Sequence, residues 1–218
     1  MFINRQEAGE KLSVALSDYR NKEVLVLGIP RGGAEIAYYV ARYLNADLAL
    51  VITRKLGWPS NPEAAFGAIA EDGSIYLSNE ANRISLEEIK NVIQQEEKEI
   101  KRRVQRLRKG QPLPEMKGRT VILADDGIAT GSTLFSAISL CKKKKAGKII
   151  VAVPISGEGM DYTLRNMVDK VIILETPELF YAVGQGYRDF DDLTDEETIQ
   201  FIDKWEHERL KKKSPADT

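Results

Sequence analysis

Reactive and metal-binding side chains are scarce in this chain. One cysteine, Cys141, and one histidine, His207, occur in 218 residues. That excludes an internal disulfide, and it leaves a structural zinc site or a histidine-based catalytic triad without its parts. Cys141 falls in an apolar helical stretch and reads as a small core hydrophobe. His207 stands among charged residues near the C-terminus and reads as surface. No apolar run reaches the ~20 residues of a membrane-spanning helix, and Met1 to Arg5 lacks the apolar core of a signal peptide. A cytoplasmic protein with no membrane partner is therefore expected. A surplus of charge is missing too: 32 basic and 33 acidic residues leave a net charge of −1. Without a broad basic face, nucleic acid is not an expected partner.

What is present is an alternation of strand and helix patterns. The length suits one α/β domain, expected over residues 1–210, with a tail at 211–218 expected to be disordered. Residues 5–20 carry Ala8, Leu12, Ala15, Leu16 and Tyr19 at helical spacing, a stripe suited to a sheet face. A strand is predicted over 23–28, a helix over 33–45 with Ile36, Ala37, Val40, Ala41 and Leu44 inward, and a two-sided buried strand over 48–53. Such β-α-β order predicts a parallel-dominated sheet flanked by helices. Residues 66–70 and 74–77, joined by Asp72-Gly73, read as a hairpin. A long helix over 85–109 opens with a capping box of Ser85 and Glu88 and carries Ile89, Val92, Ile93, Ile100, Val104 and Leu107 as one stripe. Its basic stretch at 101–109 follows Glu96, Glu97 and Glu99 and reads as a solvated face. Further strands are predicted at 148–154 and 170–174.

The densest chemistry lies between Val121 and Thr133. Val121 to Ala124 make a short apolar run suited to a central parallel strand, and Asp125 and Asp126 stand at its carboxyl end, where open α/β sheets bind ligands. Gly127, Ile128 and Ala129 lead into Thr130, Gly131, Ser132 and Thr133, which offer main-chain N–H groups and three hydroxyls at the start of the next helix. Carboxylates repel phosphate but accept hydrogen bonds from vicinal hydroxyls, so the pair beside an anion loop suggests ribose hydroxyls next to a 5′-phosphate. The bland alternative is a dinucleotide-type strand end with a chance acidic pair. A Walker-type ATPase lacks its Gly-x-x-x-x-Gly-Lys partner.

This run resembles the phosphoribosyl pyrophosphate (PRPP) signature of the type I phosphoribosyltransferases, departing from it only at Gly127, where an apolar residue is usual. The resemblance implies a type I phosphoribosyltransferase fold with a small hood subdomain at residues 177–193 and the 85–109 helix as an insertion. It implies PRPP binding by residues 125–133, with Mg²⁺ held through water by Asp125 and Asp126, since diphosphate oxygens and water can complete its octahedron. Gly28 to Gly33 is similar to the family's pyrophosphate loop. Its Arg31, Gly32 and Gly33 would seat the diphosphate, although Pro-Arg-Gly-Gly is also an ordinary turn. Arg54 and Lys55, in a segment punctuated by glycine and proline up to Glu63, match the start of the family's mobile catalytic loop. There, closure and added cations would stabilise the departing diphosphate, unless the two side chains are merely solvated. Phe180 and Tyr181 resemble the hood aromatics that stack on an acceptor base, and they could equally be packing residues. Gly186 stands where a large aromatic is expected.

The implied activity is Mg²⁺-dependent transfer of a 5-phosphoribosyl group from PRPP to a nitrogen acceptor, a nucleobase or related amine, by a homodimer. Ala129 replaces the acid that serves purine N7 in the 6-oxopurine enzymes, which disfavours hypoxanthine and guanine. Glu63 is a candidate replacement carboxylate. Two alternatives stay open: a regulator that binds PRPP or a nucleotide without turnover, and a PRPP or nucleotide hydrolase.

Overall fold

The computed structural model of the chain describes residues 1–213, the side chains of residues 62, 63, 212 and 213 excepted. From the N-terminus the elements are α1 (Arg5–Ala15), β1 (Val24–Gly28), α2 (Gly32–Leu44), β2 (Asp47–Leu50), β3 (Thr53–Trp58), β4 (Asn61–Ala70) and β5 (Ile75–Leu77). There follow α3 (Leu86–Arg108), β6 (Thr120–Ala124), α4 (Ser132–Lys143), β7 (Lys148–Ile155), α5 (Met160–Arg165), β8 (Lys170–Glu175) and α6 (Asp195–Lys213). Lys211, expected to begin a disordered tail, is helical; residues 214–218 of that tail lie outside the described residues.

Five strands pair in the order β2-β1-β6-β7-β8, every pair parallel, as the β-α-β alternation requires. Both faces are covered, so the central strands β1, β6 and β7 are apolar beyond their first residues and their side chains alternate only in the layer they serve. Val24 and Val26 of β1 enter one core with Ala8 and Leu12 of α1 and Ile36 and Val40 of α2. Leu25 and Leu27 enter the other with Leu134 and Ile138 of α4 and Leu164 of α5. Each buried valine, leucine or isoleucine among them contributes about 1.5–3 kcal/mol relative to exposure.

The apolar run at 48–53 is two elements rather than one strand. β2 ends at Leu50, the Val51 N–H still donates to the Gly28 carbonyl at 3.0 Å, and Thr53 opens a second, antiparallel sheet of order β3-β4-β5. At the switch, Glu71 accepts the Ile52 N–H at 2.9 Å and is held by Arg108 at 2.6 Å. Hydrophobicity is continuous across the switch, so periodicity alone could not locate it.

The predicted hairpin of 66–70 with 74–77 is present as β4 and β5. The segment read as a loop between Arg54 and Glu63 is a hairpin as well, with Arg54 opposite Ile69 and Lys55 opposite Ala68. Register shifts flank Gly57, and the stretch of β4 that carries Pro62 pairs with β3 alone, which is where a sheet tolerates proline. Those irregularities hid the strands.

α3 has the predicted capping box, and its apolar stripe packs on Leu56, Phe66 and Ile69 and against Ile199 and Ile202 of α6. Of the basic residues read as solvated, Arg102 is exposed beside Glu99, but Arg108 is 7% exposed and buried on Glu71. His207 is exposed and Cys141 buried, as expected.

Candidate functional site

The chain order reverses between β1 and β6, and the carboxyl ends of these two neighbours open the crevice where such sheets bind ligands. The turn after β1 lies directly on the turn after β6: the Ile29 N–H donates to the Ala124 carbonyl at 3.0 Å. The peptide bond between Pro30 and Arg31 is cis. A methyl group on Gly33 would stand 2.8 Å from both the Ala124 carbonyl and Asp125 Oδ1, and one on Gly32 would overlap the Asp126 carboxylate. The two glycines of the predicted diphosphate loop therefore serve first to let that loop close on the acidic pair.

After the pair, the loop is pinned to the end of β7 by the Ile128 N–H, which donates to the Ile155 carbonyl at 3.0 Å. Gly127, where an apolar residue is usual, is a close-packing site. A Cβ there would lie 2.6 Å from Val183 Cγ1 and 2.9 Å from Ile155 Cγ2, so a hood side chain occupies the space of the missing apolar residue. Gly131 caps α4 with a φ of 77°, and Phe135 would meet a Cβ at 2.8 Å, so both backbone and space demand glycine.

A cavity of about 240 Å³ opens at this point, lined by Lys55, Asp125, Gly127, Ala129, Thr130, Gly131, Thr133 and Val183 among others. An adjoining groove of about 940 Å³ shares Pro30, Lys55 and Thr133 with it and adds Arg31, Arg54, Trp58 and Arg103. Chain segments distant in sequence thus bring an anion loop, a carboxylate and two cations, Lys55 and Arg31, to one place. Among the described residues neither cation has an ion-pair partner. Arg54 reaches the groove wall but donates from Nε to Glu96 of α3 at 2.7 Å. Ser132 is buried at the start of α4. The Glu63 side chain lies outside the described residues.

The two acids are not equivalent. Asp125 lines the cavity and accepts the Asp126 N–H at 2.9 Å. Asp126 points away, into an ion pair with Arg5 Nε at 2.8 Å. Burial raises the pKa of both, reinforced at Asp125 by the charge of Asp126 and opposed at Asp126 by the Arg5 guanidinium. Tyr187 donates its hydroxyl to the Asp126 carbonyl. Burial and the nearby Asp126 charge push its pKa far up, so it remains a donor.

Arg5 and Tyr187 did not emerge from the sequence as site residues. A signal for Arg5 was there: positions 5, 8 and 12 share one helical face, so a charge stands on the stripe that Ala8 and Leu12 bury.

Of the hood candidates, Tyr181 is 78% exposed and Phe180 packs partly into the core beside Gly157. Gly186 is buried with its would-be Cβ against Ile155, which leaves no room for the aromatic expected there; the next residue, Tyr187, packs its ring beside Phe2. Among the described residues no three acidic, histidine or cysteine side chains converge as metal ligands. The donor set does suit a cation whose shell comes mostly from elsewhere: Asp125 presents hard oxygen to the cavity.

The sequence profile of the phosphoribosyl transferase domain matches residues 4–188. Two curated proteins named "Putative phosphoribosyl transferase", from two strains of Mycobacterium tuberculosis, are 39% identical over 207 residues. That alignment takes in 94% of this chain and 47% of each relative, so the chain spans about half the length of the curated relatives it matches. A transcriptional regulator, GfcR of Methanosphaera stadtmanae, is 39% identical over 46 residues, 21% of this chain and 23% of its own. The crystal structure of TT1426 from Thermus thermophilus superposes with a TM-score of 0.79 at 35% identity, covering 94% of this chain and 98% of that one.

Proposed function

The chain belongs to the phosphoribosyl transferase domain family, and from that premise we propose that it transfers the 5-phosphoribosyl group of PRPP to a nitrogen acceptor with release of pyrophosphate. The observation that carries the reading is the cavity where Asp125, the 127–133 loop and Lys55 converge at the ends of β1 and β6. In the reaction the bond from C1 of the ribose to the diphosphate breaks and a bond from C1 to the acceptor nitrogen forms. The acceptor proton leaves to a base or to water.

Thr130 to Thr133 would seat the 5′-phosphate on main-chain N–H groups at the start of α4. Asp125, which lines the cavity, would accept from the ribose hydroxyls, while Asp126, turned onto Arg5, would stand behind it. Arg31, Gly32, Gly33 and Lys55 would hold the diphosphate, whose charge grows as it departs. Mg²⁺ would neutralise diphosphate oxygens, held through water by the acidic pair. The exposed methyl of Ala129 leaves the loop without a proton acceptor, so the expected acceptor is one other than hypoxanthine or guanine.

The short likeness to a transcriptional regulator favours one second reading, a PRPP-binding sensor without turnover. Pyrophosphate release from PRPP and Mg²⁺, followed across nucleobases, small amines and water alone, separates the readings. Release that requires one acceptor is expected. Release in water alone would make the protein a hydrolase, and PRPP binding with no release from any mixture would make it a sensor.

A further inference from the structure

Arg5 is 6% exposed, yet it lies in the first turn of a helix whose exposed side could have taken a charge. Its Nε–H donates to Asp126 Oδ2 at 2.8 Å, one terminal N–H donates to the Asp191 carbonyl at 2.8 Å, and its guanidinium lies 3.9 Å from the Phe190 ring centre. Desolvating a guanidinium is costly, and a buried ion pair is commonly no more stabilising than apolar side chains of similar volume. Fold stability therefore gives little reason for a charge here. The geometry of Asp126 gives a better one.

Asp126 is gripped from several directions. Arg5 holds the carboxylate, Tyr187 donates to the main-chain carbonyl, and Gly32 leaves the space in which the carboxylate lies. Two of these partners reach into the hood. Tyr187 stacks on Phe190 at 5.0 Å between ring centres, and the chain beside them is stitched to the N-terminus by Phe2 N–H to the Gly186 carbonyl at 2.7 Å and Arg188 N–H to the Phe2 carbonyl at 2.8 Å. The start of α1 and the hood thus meet on one acid of the donor site.

We propose that Arg5 is a positioning residue for the donor site: it fixes the rotamer of Asp126, and with it the 127–131 loop, in the arrangement that receives the ribose hydroxyls, and it ties that arrangement to the hood. The inference rests on the PRPP-binding part of the reading above. It differs from a purely packing role, in which Arg5 would only glue α1 to the hood through Asp191 and Phe190.

A double-mutant cycle distinguishes the two roles. PRPP with Mg²⁺ is titrated calorimetrically into the wild-type chain, Arg5→Met, Arg5→Lys, Asp126→Asn and the double variant Arg5→Met/Asp126→Asn, each first shown to be folded by its melting transition. Arg5→Met keeps the bulk against Phe190 and removes the fork. It should weaken PRPP binding by about ten-fold or more, Arg5→Lys should recover part of the loss, and in the Asp126→Asn background Arg5→Met should change the affinity by less than about two-fold. Where turnover is measured, KM for PRPP should carry the change and kcat should not. An equal loss in both backgrounds, or a wild-type affinity in Arg5→Met, would overturn the inference while leaving the donor site standing. Should Arg5→Met fail to fold, Arg5→Lys alone decides: without the planar guanidinium braced by the Asp191 carbonyl and Phe190 it should hold Asp126 less firmly and weaken PRPP binding measurably, and an unchanged affinity overturns the proposal. A wild-type chain that does not bind PRPP overturns both the donor-site reading and this one.

Discussion

Val183 sits where the side chain of residue 127 would be, and that contact makes a residue-scale prediction. A methyl group on Gly127 would press on Val183 Cγ1 at 2.6 Å and on Ile155 Cγ2 at 2.9 Å, in a region where neither neighbour is a flexible chain end. Overpacking of this kind costs about 1–3 kcal/mol, so Gly127→Ala should lower stability by that amount, and Val183→Ala in the same chain should restore part of it. Urea unfolding of the two single variants and the double variant measures the coupling; strictly additive losses would mean that the two residues do not share the space. The acidic pair and the threonine-rich loop were legible because their chemistry is written in consecutive residues. The Gly127–Val183 exchange was not, because a glycine in the sequence carries no mark of which distant side chain replaces its own.

Among elements, α3 shows why counting charges says little about what they do. Arg106 and Arg108 are near neighbours on one helix, yet Arg106 meets Glu196 at the surface while Arg108 is held by both oxygens of Glu71 in the switch between the two sheets. Removing one partner of a buried pair strands the other charge, which costs about 3–5 kcal/mol, whereas an exposed pair is worth no more than about 1 kcal/mol. Glu71→Ala should therefore shift the denaturation midpoint far down and Arg106→Ala barely move it. Similar small shifts for both would show that the switch does not depend on the Glu71–Arg108 pair. The helix itself, its capping box and its stripe were legible from spacing. Its role as the backing of the β3–β4 hairpin was not, since that hairpin is broken up by Gly57, Pro59 and Pro62 and reads locally as a loop.

At the scale of the whole molecule, Asp47 joins the end of the sheet opposite the site to α6. It accepts hydrogen bonds from Arg119, at 2.6 Å, and from Arg209. Burial alone would raise its pKa, but the two guanidinium groups outweigh it and hold the carboxyl below its ordinary value. A carboxylate whose folded pKa is depressed contributes stability above its unfolded pKa, ordinarily about 3.9, and loses that contribution as pH falls through the lower folded value. Asp47→Asn should thus be less stable than wild type at neutral pH, by no more than about 1 kcal/mol for so solvent-exposed a pair, with the gap closing below pH ~4. A difference that persists unchanged at pH ~3 would show that the contribution is not electrostatic. By itself the sequence determined the parallel sheet, the acid pair at a strand end, the anion loop and the family, because each is encoded over a few adjacent residues by periodicity or backbone requirement. Only the tertiary structure decided which acid faces the cavity and which is held. That choice depends on Arg5, 121 positions from Asp126, and on Tyr187, 61 positions from it, and partners so far apart are assigned by packing alone.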